Sequence, residues 1–192
     1  MKHLIAGAIA LMMAFPGFAA ELGDDGLYKS DWMRDTFKDL REDLDEANAE
    51  GKRLMLMIEQ RGCIYCKKMH EEVYSREDMA NYIEDNYFVV QINLNGAIEV
   101  TDFDGEVLAE RDAMRKWGIL FTPTLLFIDE EVDDGMTASQ AAVAVMPGAF
   151  GVGTTLDMFT WVVEKRYTLE DEEDFQRYHA RRIRERNDGS TD

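Results

Sequence analysis

The alternation of apolar and polar positions divides the chain into strands set between helices. Leu54-Met55-Leu56-Met57-Ile58 is an unbroken apolar run, the pattern of a strand buried on both faces, and Phe88-Val89-Val90-Gln91-Ile92-Asn93-Leu94 predicts a second. Ahead of the first, Met33, Phe37, Leu40, Leu44 and Ala47 recur at alternating spacings of four and three. This predicts a helix capped by Asp31 and ended by Gly51, with Asp35, Arg41, Glu42 and Asp45 on a solvated charged face. From Cys63 the pattern turns helical, and Ser75-Arg76-Glu77-Asp78 reads as a fresh helix start before Met79, Tyr82 and Ile83, so a break is expected near Ser75.

Further along, Asp102-Phe103-Asp104-Gly105 reads as a tight hairpin turn. It is not a calcium loop: counted from Asp102, Val107 and Ala113 stand where such a loop needs Gly and Glu. Leu108 to Trp117 can form a helix stopped by Gly118. A strand should open at Thr124 with Pro123 just outside it, because proline cannot donate to a ladder. A turn at Asp133-Asp134-Gly135, a strand around Ala142–Val145 and a Gly-rich bend follow. Thr154 is placed to cap a last helix with Leu156, Phe159, Val163 and Tyr167 on one face. Strands alternating with helices and closed by a strand pair imply an α/β domain, a mixed sheet covered on both faces.

The ends change the picture. Met1-Lys2-His3, the apolar run Leu4 to Phe15 and Pro16-Gly17-Phe18-Ala19-Ala20 have the order of a secretory signal peptide over residues 1–19, too short in its apolar core to span a bilayer. Residues 20–30 are polar and Gly-rich and read as a flexible leader, 31–167 as the folded domain, and 168–192 as a charged tail, either a frayed helix or disordered. The reading is therefore of an exported protein without stable membrane insertion, expected to act as a monomer in an oxidising compartment. A net charge of −18 argues against nucleic acid or an anionic membrane as partner.

The only two cysteines stand in Gly62-Cys63-Ile64-Tyr65-Cys66, directly after the first buried strand. A thiol at such a strand-to-helix junction meets free backbone N–H groups and the positive end of the helix dipole, which favour thiolate; the second thiol follows one turn later on the inward face. Three chemistries fit the pair. Redox catalysis is the first. An inert disulfide is the second, although so small a ring contributes only about 2 kcal/mol of loop entropy against roughly 3 for fifteen residues. Metal binding is the third, because Cys63, Cys66 and His70 share one helical face, but a fourth ligand is not evident.

These residues, with Glu59 upstream, Met69-His70-Glu71, Gln91-Ile92-Asn93, Val100 to Glu106 and Phe121-Thr122-Pro123-Thr124, resemble the thioredoxin superfamily, and more closely the SoxW-type periplasmic thioredoxins of bacterial sulfur oxidation. The resemblance covers roughly residues 31–167. It implies a thioredoxin fold, with a mixed central sheet, helices on both faces, an N-terminal helix and the charged tail. It also implies that Cys63 is the exposed nucleophile, Cys66 the recessed resolving thiol, and Pro123 cis and packed against the pair. Thr122 and Tyr65 would then meet substrate. Neither a cofactor nor a metal is implied. Gly62 stands where thioredoxin has tryptophan and Met57 where it has its buried aspartate, which leaves Glu59 as a possible proton acceptor; a pairing of Glu59 with Lys67 or Arg61 is the plainer alternative. The implied activity is a periplasmic reductase or carrier that takes electrons from a membrane thiol donor to an exported protein disulfide. A disulfide oxidase or isomerase, and a non-catalytic binding module whose disulfide locks the fold, are the alternatives.

Overall fold

The structure, a computed structural model, describes residues 20–168 and 173–189. The export segment expected over 1–19 lies outside them, as do 169–172 and 190–192 of the tail. The chain opens with an antiparallel hairpin, β1 (Glu21–Leu22) and β2 (Tyr28–Lys29), and enters the main sheet through the short β3 (Met33–Arg34). Then come α1 (Leu40–Ala49), β4 (Arg53–Glu59), α2 (Ile64–Met69), a π-helical segment His70–Tyr74, α3 (Glu77–Asn86) and β5 (Tyr87–Asn93). A second hairpin, β6 (Glu99–Thr101) and β7 (Val107–Ala109), leads to α4 (Glu110–Trp117) and β8 (Thr124–Ile128). The chain closes with α5 (Ala138–Ala141), β9 (Ala142–Pro147), α6 (Val152–Val163), a 3-10 turn Arg166–Thr168 and α7 (Phe175–Asp188).

The five-stranded sheet has the order β3-β5-β4-β8-β9: β3, β5 and β4 run parallel, and β8 and β9 are antiparallel to their neighbours. The pleat of β4 sends successive side chains to opposite layers. Met55 and Met57 pack with Met69, Tyr74, Ile83, Tyr87 and Phe159 on one face. Leu54, Leu56 and Ile58 pack with Leu40, Leu44, Phe103 and Trp117 on the other. Both faces are covered, which is why this strand reads as one apolar run. Among the described residues no helix is long and apolar enough to cross a membrane.

Several local expectations give way to tertiary pairing. The first helix starts at Leu40 rather than after Asp31: Asp39 is its cap, accepting from the N–H groups of Arg41 (3.1 Å) and Glu42 (3.3 Å), while Met33 and Arg34 are drawn into the sheet beside Val89 and Val90. Phe37, read as a core position of that helix, is 97% exposed. Arg41 is not on a merely solvated face; its guanidinium donates to the carbonyls of Phe103, Val132 and Asp133. The leader of residues 20–30 forms the first hairpin, with Leu27 buried. The last helix of the core begins at Val152 with Gly151 as cap, because the Thr154 hydroxyl pairs instead with His179 Nε2 at 3.2 Å. The charged tail contributes α7, docked on α6 through buried Tyr178 and through His179 and Arg186, which converge on buried Asp157 at 2.6 and 2.8 Å.

Asp43 lies on the inward face of α1, 3% exposed, with its carboxylate held by the Thr36 hydroxyl at 3.3 Å. Burial, with Glu46, Asp39 and Glu42 nearby, pushes its carboxyl up to about 7. The folded state therefore holds this proton more tightly than the unfolded chain does, so its stabilisation is present in full below about pH 4 and is lost as pH rises through 7. Asp43→Asn, which keeps the shape and removes the charge, is expected to raise the unfolding free energy by roughly 1–3 kcal/mol at pH 8 and to change it little at pH 4. Urea unfolding of both proteins at the two pH values checks this; an equal difference at both would show that Asp43 carries no such linkage.

Candidate active site

β4 delivers the chain to the surface at Gln60-Arg61-Gly62. Gly62 adopts φ 73°, a left-handed turn that folds the backbone into α2. Cys63 is the cap of that helix and its Sγ accepts from the Cys66 N–H at 3.0 Å, so the first sulfur takes up one of the helix's unpaired donors. Cys63 and Cys66 are joined as a disulfide. Their surroundings are unequal: Cys63 is 9% exposed and Cys66 1%. Of the two, Cys63 lines a groove open to solvent.

Across from it lies the loop before β8. The Thr122 hydroxyl donates to Cys63 Sγ at 3.2 Å, and the Thr122–Pro123 bond is cis, as the resemblance implies. The Pro123 carbonyl accepts from Gly148 N–H at 2.7 Å, which ties this loop to the end of β9. Around the two loops Ile64, Tyr65, Leu120, Phe121 and Phe150 expose apolar surface, although the chain is strongly acidic overall. Tyr65 is thus exposed on the turn that carries the cysteines, while Thr122 touches the sulfur itself.

Glu59 closes β4 and is 1% exposed, but it pairs with neither Lys67, which meets Glu71, nor Arg61, which donates to the Asp24 and Asp25 carbonyls. Its carboxylate is held by His70 Nε2 at 3.0 and 3.2 Å and by Gln91 Nε2 at 2.7 Å. His70 lies one α-helical turn beyond Cys66 on the same inward face, its N–H bonded to the Cys66 carbonyl; the π-helical segment that starts there, marked by the Ser75 N–H bonded back to the His70 carbonyl, buries Val73 and Tyr74 after it. The imidazole stacks on Tyr28 at 5.3 Å and meets Tyr74 edge-on at 5.3 Å. Tyr74 is fully buried, and this burial together with the Glu59 charge raises its hydroxyl above the ordinary tyrosine range. Gln91 reaches on to the Tyr28 carbonyl at 2.8 Å and to Lys29, so the buried carboxylate is tied to the N-terminal hairpin. His70, read from the sequence as a candidate metal ligand beside the cysteines, is buried among aromatic rings as the partner of Glu59. A carboxylate ending an otherwise apolar strand was the one sequence signal that such a partner exists.

A family model described as a thioredoxin-like domain matches residues 40–142, more than half of the chain. Among solved structures, a thioredoxin-fold protein from Helicobacter pylori superposes with a TM-score of 0.57 at 14% identity, covering 72% of this chain and 86% of that one. A thioredoxin from Thermus thermophilus does so with a TM-score of 0.51 at 19% identity, covering 66% and 85%. At these identities the likeness concerns the fold. No curated protein sequence matches the chain. A C-x-x-C pair on a thioredoxin-like fold supports thiol–disulfide oxidoreductase activity.

Proposed function

Because this chain belongs to the thioredoxin-like domain family, we propose that it is a periplasmic thiol–disulfide oxidoreductase of the SoxW type, working as a monomeric reductase or carrier in sulfur oxidation. Its electrons come from a membrane thiol donor and pass to a disulfide in an exported protein. The observation that carries the reading is the inequality of the two sulfurs, with Cys63 reachable, Cys66 enclosed and Thr122 bonded to the first.

In the reduced protein the Cys63 thiolate attacks one sulfur of the substrate disulfide; a Cys63–substrate disulfide forms and the other substrate sulfur leaves as thiolate. Cys66, once deprotonated, attacks the Cys63 sulfur, the substrate's second sulfur leaves, and the Cys63–Cys66 disulfide remains. Two electrons have moved to the substrate. The proton of Cys66 needs an acceptor, and Glu59, buried one strand end away and held by His70, is the group we assign to that role. Thr122 and the exposed Tyr65 ring flank the substrate segment.

The test is dithiothreitol-coupled reduction of insulin, together with the reduction potential against glutathione. Acceleration by catalytic amounts of protein and a potential near −270 mV are expected; a value near −120 mV would assign an oxidant instead. No acceleration would leave a thioredoxin-like module with a locking disulfide.

A further inference from the structure

Beside Cys63 a groove of about 490 Å³ runs between the N-terminal hairpin and the C-x-x-C turn. We infer that it is a specificity site for polypeptide substrates, taking an apolar side chain next to the substrate cysteine and a carboxylate on the residue beyond it. The inference rests on the oxidoreductase reading and adds a substrate class to it.

Leu22 and Tyr28 of the hairpin form one wall and Ile64 of α2 the other, and the groove reaches Cys63 itself. Leu22 and Ile64 are both largely exposed, a cost in solvation that a covering side chain would remove.

The charge at the rim runs against that of the chain. Arg61 and Lys67 both line the groove, against Asp24 alone. Arg61 directs its donors at the Asp24 and Asp25 carbonyls, at 3.3 Å each, and among the described residues no carboxylate lies within ion-pair distance of it. Among the described residues the carboxylate within ion-pair distance of Lys67 is that of Glu71, at 3.5 Å on an exposed helix face, a contact of little energy. Two cations weakly opposed, in a protein of net charge −18, favour a carboxylate on the bound segment.

The hairpin is fitted to this arrangement. Gly26 at its tip has φ 78°, a left-handed conformation that favours glycine, and a Cβ there would fall 2.6 Å from Arg61 Nε, so a side chain at this position would strain the turn and push the arginine aside. The carbonyl contacts and Gln91, which bonds the Tyr28 carbonyl, hold the wall in place. These hairpin residues lie outside the segment 40–142 that carries the family likeness, so they are placed to give this chain a preference of its own.

The probes are four labelled peptides, each with one cysteine in a disulfide to a quencher, flanked by Leu-Glu, Leu-Lys, Ser-Glu or Ser-Lys, with hydroxyethyl disulfide as a substrate too small to fill the groove. For each protein, with dithiothreitol as the reductant and its uncatalysed rate subtracted, the peptide kcat/KM is divided by its own rate on hydroxyethyl disulfide. The Leu-Glu peptide is expected to exceed Ser-Lys by about 10- to 100-fold, as one apolar side chain in a pocket discriminates by that order. Leu22→Ser should erase the Leu-over-Ser ratio and keep Glu-over-Lys; Lys67→Gln should do the reverse, with the charge ratio in the unmodified protein also shrinking as salt is added. Equal ratios for all four peptides, with hydroxyethyl disulfide turned over, would overturn the groove as a specificity site. No turnover of hydroxyethyl disulfide would overturn the oxidoreductase reading, and this inference with it.

Discussion

Cells that export the Cys66→Ala protein are expected to accumulate covalent complexes of it with their own proteins, seen on non-reducing gels and dissolved by dithiothreitol. Cells exporting Cys63→Ala should show few or none. Both variants should reduce insulin no faster than dithiothreitol alone. The asymmetry follows from the position of the sulfurs. Cys63 caps α2 and lines the groove, and the Cys66 N–H and the Thr122 hydroxyl both point at its sulfur. Donors aimed at a sulfur stabilise its thiolate, so Cys63 is the thiol that attacks. Once it is bonded to a substrate sulfur, release requires a second thiolate within reach of Cys63, and Cys66, three residues on and already positioned for bonding, is the one the chain supplies. Without it the complex persists. With Cys63 removed, the remaining thiol is enclosed and cannot meet a protein disulfide without opening the fold. Equal trapping by both variants would refute the assigned roles, and the trapped partners would identify the substrate.

The stretches whose environment is set by the sheet were legible from residues alone. β4 and β5 read as strands because a strand covered on both faces must be apolar at consecutive positions, and the C-x-x-C turn, the break after Tyr74 and the opening of β8 at Thr124 follow from local chemistry. The break lies where expected, although Arg76 rather than Ser75 precedes α3 and the Ser75 hydroxyl bonds the Glu71 carbonyl. What the pattern could not reveal depends on distant partners. Helical spacing continues from Leu40 back to Met33, but β5 offers Met33 and Arg34 a parallel strand partner, and strand pairing wins over periodicity there. The tail's charge density resembles that of a disordered segment, yet Asp157, buried in α6, gives its His179 and Arg186 a place to pair. Glu59 was visible as an unusual charge at a strand end; His70 as its partner was not, because the inward face of α2 was legible but the packing of that face against the end of β4 is a tertiary contact that no residue type announces.

His70→Leu is expected to destabilise the protein by about 3–5 kcal/mol, the cost of leaving a buried group without the partner that compensates it. For a domain of this size that lowers Tm by about 10 °C or more. The reasoning starts from Glu59, whose side chain is 1% exposed and whose oxygens have His70 and Gln91 as hydrogen-bond partners. Leucine fills most of the imidazole's volume but donates nothing, so Gln91 alone is left to solvate the carboxylate inside the fold, where an uncompensated charge is costly. Glu59→Gln removes the charge and keeps the shape. Adding it to His70→Leu should therefore return on the order of 2 kcal/mol, a coupling within the range found for residues in direct contact. Denaturant unfolding of the two single variants and the double variant measures this. Strictly additive losses would mean that the contact contributes little beyond packing. If Glu59 also takes the Cys66 proton, the Glu59→Gln protein should fold with near-normal stability while the rate of mixed-disulfide resolution falls and its pH dependence changes, readouts that a purely structural carboxylate would not move.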